Sequence, residues 1–173
     1  VFRKFLVVIV CLLLAIAAGC SEPPAENKEN SAGAEPVVLK VFGGEVKDDE
    51  KGGIVSVNHV PQIEVPDEEP IPPLTIIEYR YYPVGIGSLG AEVGSSLGRK
   101  FQELYKSSPE FDQVRLTLYL PFSDDYGNIA WEHAALIVMS RATYEKINWD
   151  NFIGENLWKV ADEVSRESWI AWD

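Results

Sequence analysis

The chain has 173 residues, and 27 acidic against 15 basic side chains leave a formal net charge of −12 at pH 7. Nucleic-acid binding needs a basic footprint that neutralises phosphates, so this balance excludes DNA and RNA as partners. The two cysteines, Cys11 and Cys20, both precede Ser21, so the rest of the chain has no disulfide, no cysteine nucleophile and no thiolate zinc site.

Arg3 and Lys4 come before the apolar run Phe5–Ala18, which closes on Ala17-Ala18-Gly19-Cys20. A cationic start, an apolar stretch and small residues at its end form the tripartite pattern of an export signal. A spanning helix fits less well, because it needs about 18 or more apolar residues and this run leads straight into Ser21-Glu22-Pro23-Pro24. Ala17-Ala18-Gly19-Cys20 resembles the lipobox of bacterial lipoproteins, with alanine where leucine is commonest. The resemblance implies that residues 1–19 are removed as a signal peptide, and that Cys20 then carries a diacylglycerol and a further fatty acid such as palmitate on its amino group. The lipid bilayer is then a partner through acylated Cys20, in the bacterial cell envelope. Ser21, where aspartate would retain the protein at the inner membrane, implies the outer membrane, facing the periplasm, in a Gram-negative cell. Loss of Arg3 and Lys4 raises the acidic excess to near −14, 27 acids against 13 bases.

Residues 20–36 contain no large apolar side chain and predict a flexible acidic tether. A coil of about 16 residues reaches roughly 20–24 Å. Val37–Phe42 and Ile54–Val57 are rich in β-branched residues and predict short strands. Pro61, Pro66, Pro70, Pro72 and Pro73 predict an extended linker. Residues 37–73 therefore fit either a loosely docked hairpin or an acidic tether. Asp48-Asp49-Glu50 lacks the alternating spacing of a calcium loop and is read as a solvated charge run.

From Leu74 to Asp173 the pattern is that of a compact α+β domain. Residues 74–83 predict a strand, and residues 88–107 a helix with Leu89, Val93, Leu97, Phe101, Leu104 and Tyr105 on one side. Val114, Leu116, Leu118, Leu120 and Phe122 alternate with polar residues and predict a half-buried strand over 114–122. Ser123–Asn128 is turn chemistry. A strand over 129–140 follows, apolar on both faces in its second half and so interior to the sheet. A short helical turn is expected over 143–147 and a last helix over 155–172. The expected fold is a small antiparallel sheet with helices on one face.

Candidate chemistry is sparse. Gly85-Ile86-Gly87-Ser88-Leu89-Gly90 spells G-x-G-x-x-G between a strand and a helix, where a dinucleotide pyrophosphate would rest. A hairpin follows where a second crossover would be needed. Gly90, Gly94 and Gly98 also recur at intervals of four along the helix. Each costs a helix about 1 kcal/mol against alanine, so close packing against a neighbour is the favoured reading and no cofactor is expected. His133 lies near Asp124 and Asp125 in sequence and has no nucleophile or metal motif beside it. It reads as a hairpin or core residue, and no metal ligand is assigned. All five tryptophans lie at or after Trp131. Trp158 and Trp169 are expected in the core, whereas Trp149 and Trp172 are the candidates for a partner-binding surface.

Two functional classes follow. The first is a membrane-anchored, non-enzymatic lipoprotein whose folded part binds or supports an envelope protein or cell-wall component. The second is a small envelope hydrolase using His133 with Asp124 or Asp125. A weaker third is a metal-ion or small-ligand sensor on the acidic surface.

Overall fold

Apolar side chains at intervals of four, Ala34, Val38 and Phe42, wind the first element into a helix. The computed structural model describes residues 33–45, 52–85, 87–168 and 170–172, and the expected signal peptide with Cys20 and the Asp48–Glu50 run lie outside them. Helix α1 (Ala34–Phe42) replaces the strand expected over 37–42 and takes in the end of the expected tether. Pro36 falls in its first turn, where a missing N–H costs nothing. Gly43, at φ 94°, stops it in the left-handed conformation. The β-branched residues misdirect here because period, not composition, sets which face is buried.

Strands β1 (Gly53–Val60) and β2 (Leu74–Arg80) pair antiparallel. The proline-rich stretch between them is not an open linker. Ile63 and Ile71 bridge across it, and the chain reverses at Asp67, whose φ of 61° an aspartate tolerates. Helix α2 (Leu89–Ser107) is capped by Ser88 Oγ, which accepts the Ala91 N–H at 3.3 Å. It ends at Ser108, which the following Pro109 pushes to extended backbone. Strands β3 (Gln113–Ser123) and β4 (Ile129–Ser140) form the expected antiparallel hairpin. A bulge leaves Ala134 without a partner between Leu118/Ala135 and Tyr119/His133.

The sheet has five strands in the order β1-β2-β3-β4-β5. It is mixed where an antiparallel sheet was expected, because β2 and β3 run parallel. A helical crossover brings the chain back to the same end of the sheet, so the strands it joins run the same way.

The last helix expected over 155–172 is also corrected. After helix α3 (Arg141–Lys146) come single 3-10 turns at Trp149–Asn151 and Gly154–Asn156, and then the short helix α4 (Leu157–Val160). The chain turns extended at Ala161, and β5 (Glu163–Arg166) pairs with β4. The open edge of β4 supplied ladder partners that no property of residues 161–166 announces. Asp162 fixes the switch, its carboxylate accepting the Ser140 N–H at 2.5 Å and the Thr143 hydroxyl at 2.6 Å.

The helices share one face of the sheet. Ile77, Tyr79, Val114, Leu116, Leu118 and Ile137 meet Val93, Leu97, Phe101 and Leu104 of α2 in the core, and Phe42 of α1 lies edge-on to Tyr79 at 5.1 Å. α1 and β1 thus belong to the same core and sheet as the residues after Leu74. On the opposite face no helix lies over the strands among the described residues.

Candidate functional site

The C-terminal segment reaches its place by lying along the glycine row of α2. A Cβ on Gly90 would meet the Trp172 carbonyl at 2.4 Å, and one on Gly94 would meet the Gly154 carbonyl at 2.6 Å. Gly98 faces the Phe152 ring at 3.2 Å. Close packing is therefore what the three glycines do.

In the preceding loop a side chain of the helix itself takes two of the amides. Glu92 brings its own carboxylate there, accepting from the Val84 N–H at 2.7 Å, the Gly85 N–H at 3.0 Å and the Tyr81 hydroxyl at 2.9 Å. Burial, and then this carboxylate, push the Tyr81 phenol up to about 12. At the helix start the Gly90 N–H donates to the Trp172 carbonyl at 2.7 Å.

Trp172 is corrected from surface to interior. It is 8% exposed, its indole N–H donates to the Glu167 carbonyl at 3.1 Å, and it stands edge-on to Trp158 at 5.3 Å. The Arg166 guanidinium covers both rings, at 5.6 and 5.7 Å. Trp158 packs partly buried against the core and donates to the Gly90 carbonyl at 2.9 Å. Trp169 lies outside the described residues.

Trp149 remains on the outside of the fold, half-buried. Its indole N–H donates to the Tyr144 carbonyl at 3.0 Å, fixing the ring's attitude. Tyr105, Tyr144, Trp149 and Phe152 form a ladder with centroid spacings of 4.8, 5.2 and 4.9 Å, leading from the core to the surface. Tyr105 anchors it, its hydroxyl donating to the Met139 carbonyl at 2.5 Å; burial raises its pKa. Between this ladder and α2 opens a cleft of about 160 Å³ lined by Ser95, Gly98, Arg99, Gln102, Trp149 and Phe152, with Gly154 behind. A shallower groove of about 430 Å³ lies on the other side of Phe152, along Lys146, Ile147, Asn156 and Val160. Ile153, 64% exposed, follows Phe152 in the chain.

The open face of the sheet carries a second polar arrangement that spans the strands. Glu78 accepts from Ser56 Oγ at 2.7 Å and from the Tyr119 hydroxyl at 3.3 Å. Burial and then the Glu78 charge raise the Tyr119 pKa. The Tyr119 ring meets His133 edge-on at 6.2 Å, and His133 Nδ1 lies 3.1 Å from Glu167 Oε1. These two side chains are 39% and 41% exposed. The partner of His133 is thus Glu167, and neither Asp124 nor Asp125 is brought to it. His133 stands four residues along β4 from Ile129, roughly 13 Å at 3.3 Å per residue. Of these residues only His133 was singled out from sequence. Period-two patterning puts Glu78 and Tyr119 on the polar side of their strands, but nothing signals Glu167, which follows a strand read as helix.

Asp124 is committed to its own turn. Its carboxylate accepts the Asn128 N–H and side-chain amide, both at 2.8 Å, and the Tyr126 N–H at 2.9 Å. The Asn128 amide, above all, holds this carboxyl below its ordinary 3.8. The turn's contribution is therefore complete above the unfolded pKa and lost as pH falls through the depressed folded value. In an acid titration the Asn128 and Tyr126 amide resonances should move together in that window, and Asp124→Asn should flatten the response. A shift centred above pH 3.8 would contradict the assignment. His59, in β1, pairs with the buried Thr75 at 3.1 Å.

Among the described residues no cluster of His, Cys, Asp and Glu has the makings of a metal site, and no helix is long and apolar enough to cross a membrane. Comparison with protein-family models, with curated proteins and with solved structures finds no match.

Proposed function

We propose that this chain is a lipid-anchored protein of the bacterial envelope whose folded part is a non-enzymatic binding or structural accessory module. Its address rests on the lipobox-like Ala17–Cys20 segment. The binding role rests on the outward end of the aromatic ladder, where Trp149 and Phe152 line one cleft and Phe152 a second. Fixed aromatic faces supply contact area at little entropic cost, the usual composition of a recognition patch. The partner is an envelope protein or a cell-wall component.

A second reading, a small hydrolase, draws on the His133–Glu167 contact, since a carboxylate on Nδ1 leaves Nε2 as the outward nitrogen. Among the described residues the polar partner of His133 is Glu167 and no serine or threonine is hydrogen-bonded to the ring, so the binding reading is preferred. Two measurements separate them. A photo-crosslinking residue at Ile153 should yield a discrete adduct in intact cells, identified by mass spectrometry and weakened by Trp149→Ala. His133→Ala should leave both the adduct and any cellular phenotype unchanged. Loss of phenotype in His133→Ala at unchanged Tm, with no adduct at Ile153, would replace the binding module by the hydrolase.

A further inference from the structure

We propose that the cleft between α2 and Trp149 binds one sugar ring that carries a carboxylate. The proposal rests on the binding reading above and names its ligand class. The cleft of about 160 Å³ is smaller than the roughly 300–1,000 Å³ of a drug-sized site, which restricts it to a single ring. One wall is aromatic. Trp149, its N–H held by Tyr144 and its ring braced by Phe152, lines the cleft with Phe152, and aromatic carbon of this kind suits the apolar C–H face of a pyranose.

The other wall is polar and comes from one stripe of α2. Ser95, Arg99 and Gln102 follow one another at helical spacing, so their side chains reach the same side. Gly98 stands between them without a side chain and lets the Phe152 ring close the cleft against the helix. Arg99 uses Nε on the Ser95 carbonyl at 3.3 Å, one of five N–H donors in its guanidinium. Among the described residues no acidic side chain lines this cleft, in a chain with 27 acids and a net charge of −12. A guanidinium on a cleft wall that carries no carboxylate, in so acidic a molecule, favours an anionic group, and its forked donors match a carboxylate. A neutral sugar would use Trp149 and Gln102 and leave Arg99 unanswered.

The test uses the full chain in detergent, labelled with 5-fluorotryptophan, the Trp149 resonance being assigned by its absence in Trp149→Phe. D-glucuronate, D-glucose and acetate are titrated in turn at fixed ionic strength. Glucuronate should shift the Trp149 signal saturably, with affinity at least tenfold above glucose and above acetate. Arg99→Gln should reduce glucuronate binding at least tenfold, to the level of glucose, whereas Arg115→Gln, on the sheet's open face, should not change it. Equal affinity for glucuronate and glucose, or undiminished glucuronate binding by Arg99→Gln, overturns the proposal. So does acetate binding as tightly as glucuronate, which would mark a carboxylate site without sugar recognition. If no probe binds while the Ile153 crosslink still forms, the sugar assignment falls and the binding module stands; if both fail, the binding reading falls with it.

Discussion

Replacing Cys20 by serine is expected to abolish fatty-acid incorporation and to leave a precursor that retains residues 1–19. Lipid attachment contributes about 0.8 kcal/mol per buried methylene, so a single chain holds a protein only marginally while several hold it essentially permanently. All of that attachment would pass through one residue, the thiol and amino group of Cys20, since Cys11 lies inside the apolar run expected to be removed. Labelled palmitate is the decisive readout, because an uncut Phe5–Ala18 run can itself keep a precursor at the membrane. Labelling should fall to background in Cys20→Ser and remain at the wild-type level in Cys11→Ser. Unchanged labelling in Cys20→Ser would remove the anchor, and with it the envelope address.

The second large effect is expected where two backbones touch. Gly154→Ala would set a Cβ 2.2 Å from Ser95 Cα and 2.5 Å from its N. Neither atom can turn aside, so α2 and the segment after Phe152 must separate. Overpacking of this kind costs about 1–3 kcal/mol and sometimes more. At roughly 2–4 °C per kcal/mol for a chain of this size, Tm should fall by about 2–12 °C. Separation at this contact also widens the cleft, so the Trp149 resonance should shift even without ligand. Gly98→Ala is the contrasting case. Its Cβ meets a ring carbon of Phe152 at 3.2 Å, a side chain able to yield, while alanine recovers about 1 kcal/mol of helix propensity. Its Tm should stay within a few degrees of wild type. Equal losses in the two variants would mean that the glycine row is not graded by what it faces.

How far the chain could be read before folding follows from the range of each signal. The α2 stripe, the β3 alternation and the apolar second half of β4 are patterns within one element, and most of their residues reappear as core, Phe122 at 45% exposure being the exception at the end of β3. The glycine row was legible for the same reason, since three glycines at helical spacing announce a close neighbour, though not which neighbour. Residues 37–42 were misread because β-branched composition was weighed above the period of Ala34, Val38 and Phe42. The failures at 155–172 have another origin. Whether Glu163–Arg166 forms a strand depended on the free edge of β4, and whether Trp172 was displayed or buried depended on its carbonyl meeting Gly90 across the fold.

The candidate site divides along the same line. Trp149 could be picked out because a tryptophan amid Asn148, Asp150 and Asn151 is out of keeping with a solvated loop. Arg99 and Gln102 entered only as the polar side of a helix, and Glu167 not at all. By itself the sequence determined the acidity, the lipobox-like segment, the α+β class and the absence of thiol chemistry after Cys20, because each depends on composition or on residues close together in the chain. Only the tertiary structure decided the parallel β2–β3 pairing, the fifth strand, the partner of His133 and the cleft beside Trp149. Each of these depends on contacts between residues far apart in sequence, and hydrogen-bonding edges and apolar faces accept any partner that the rest of the fold brings within reach.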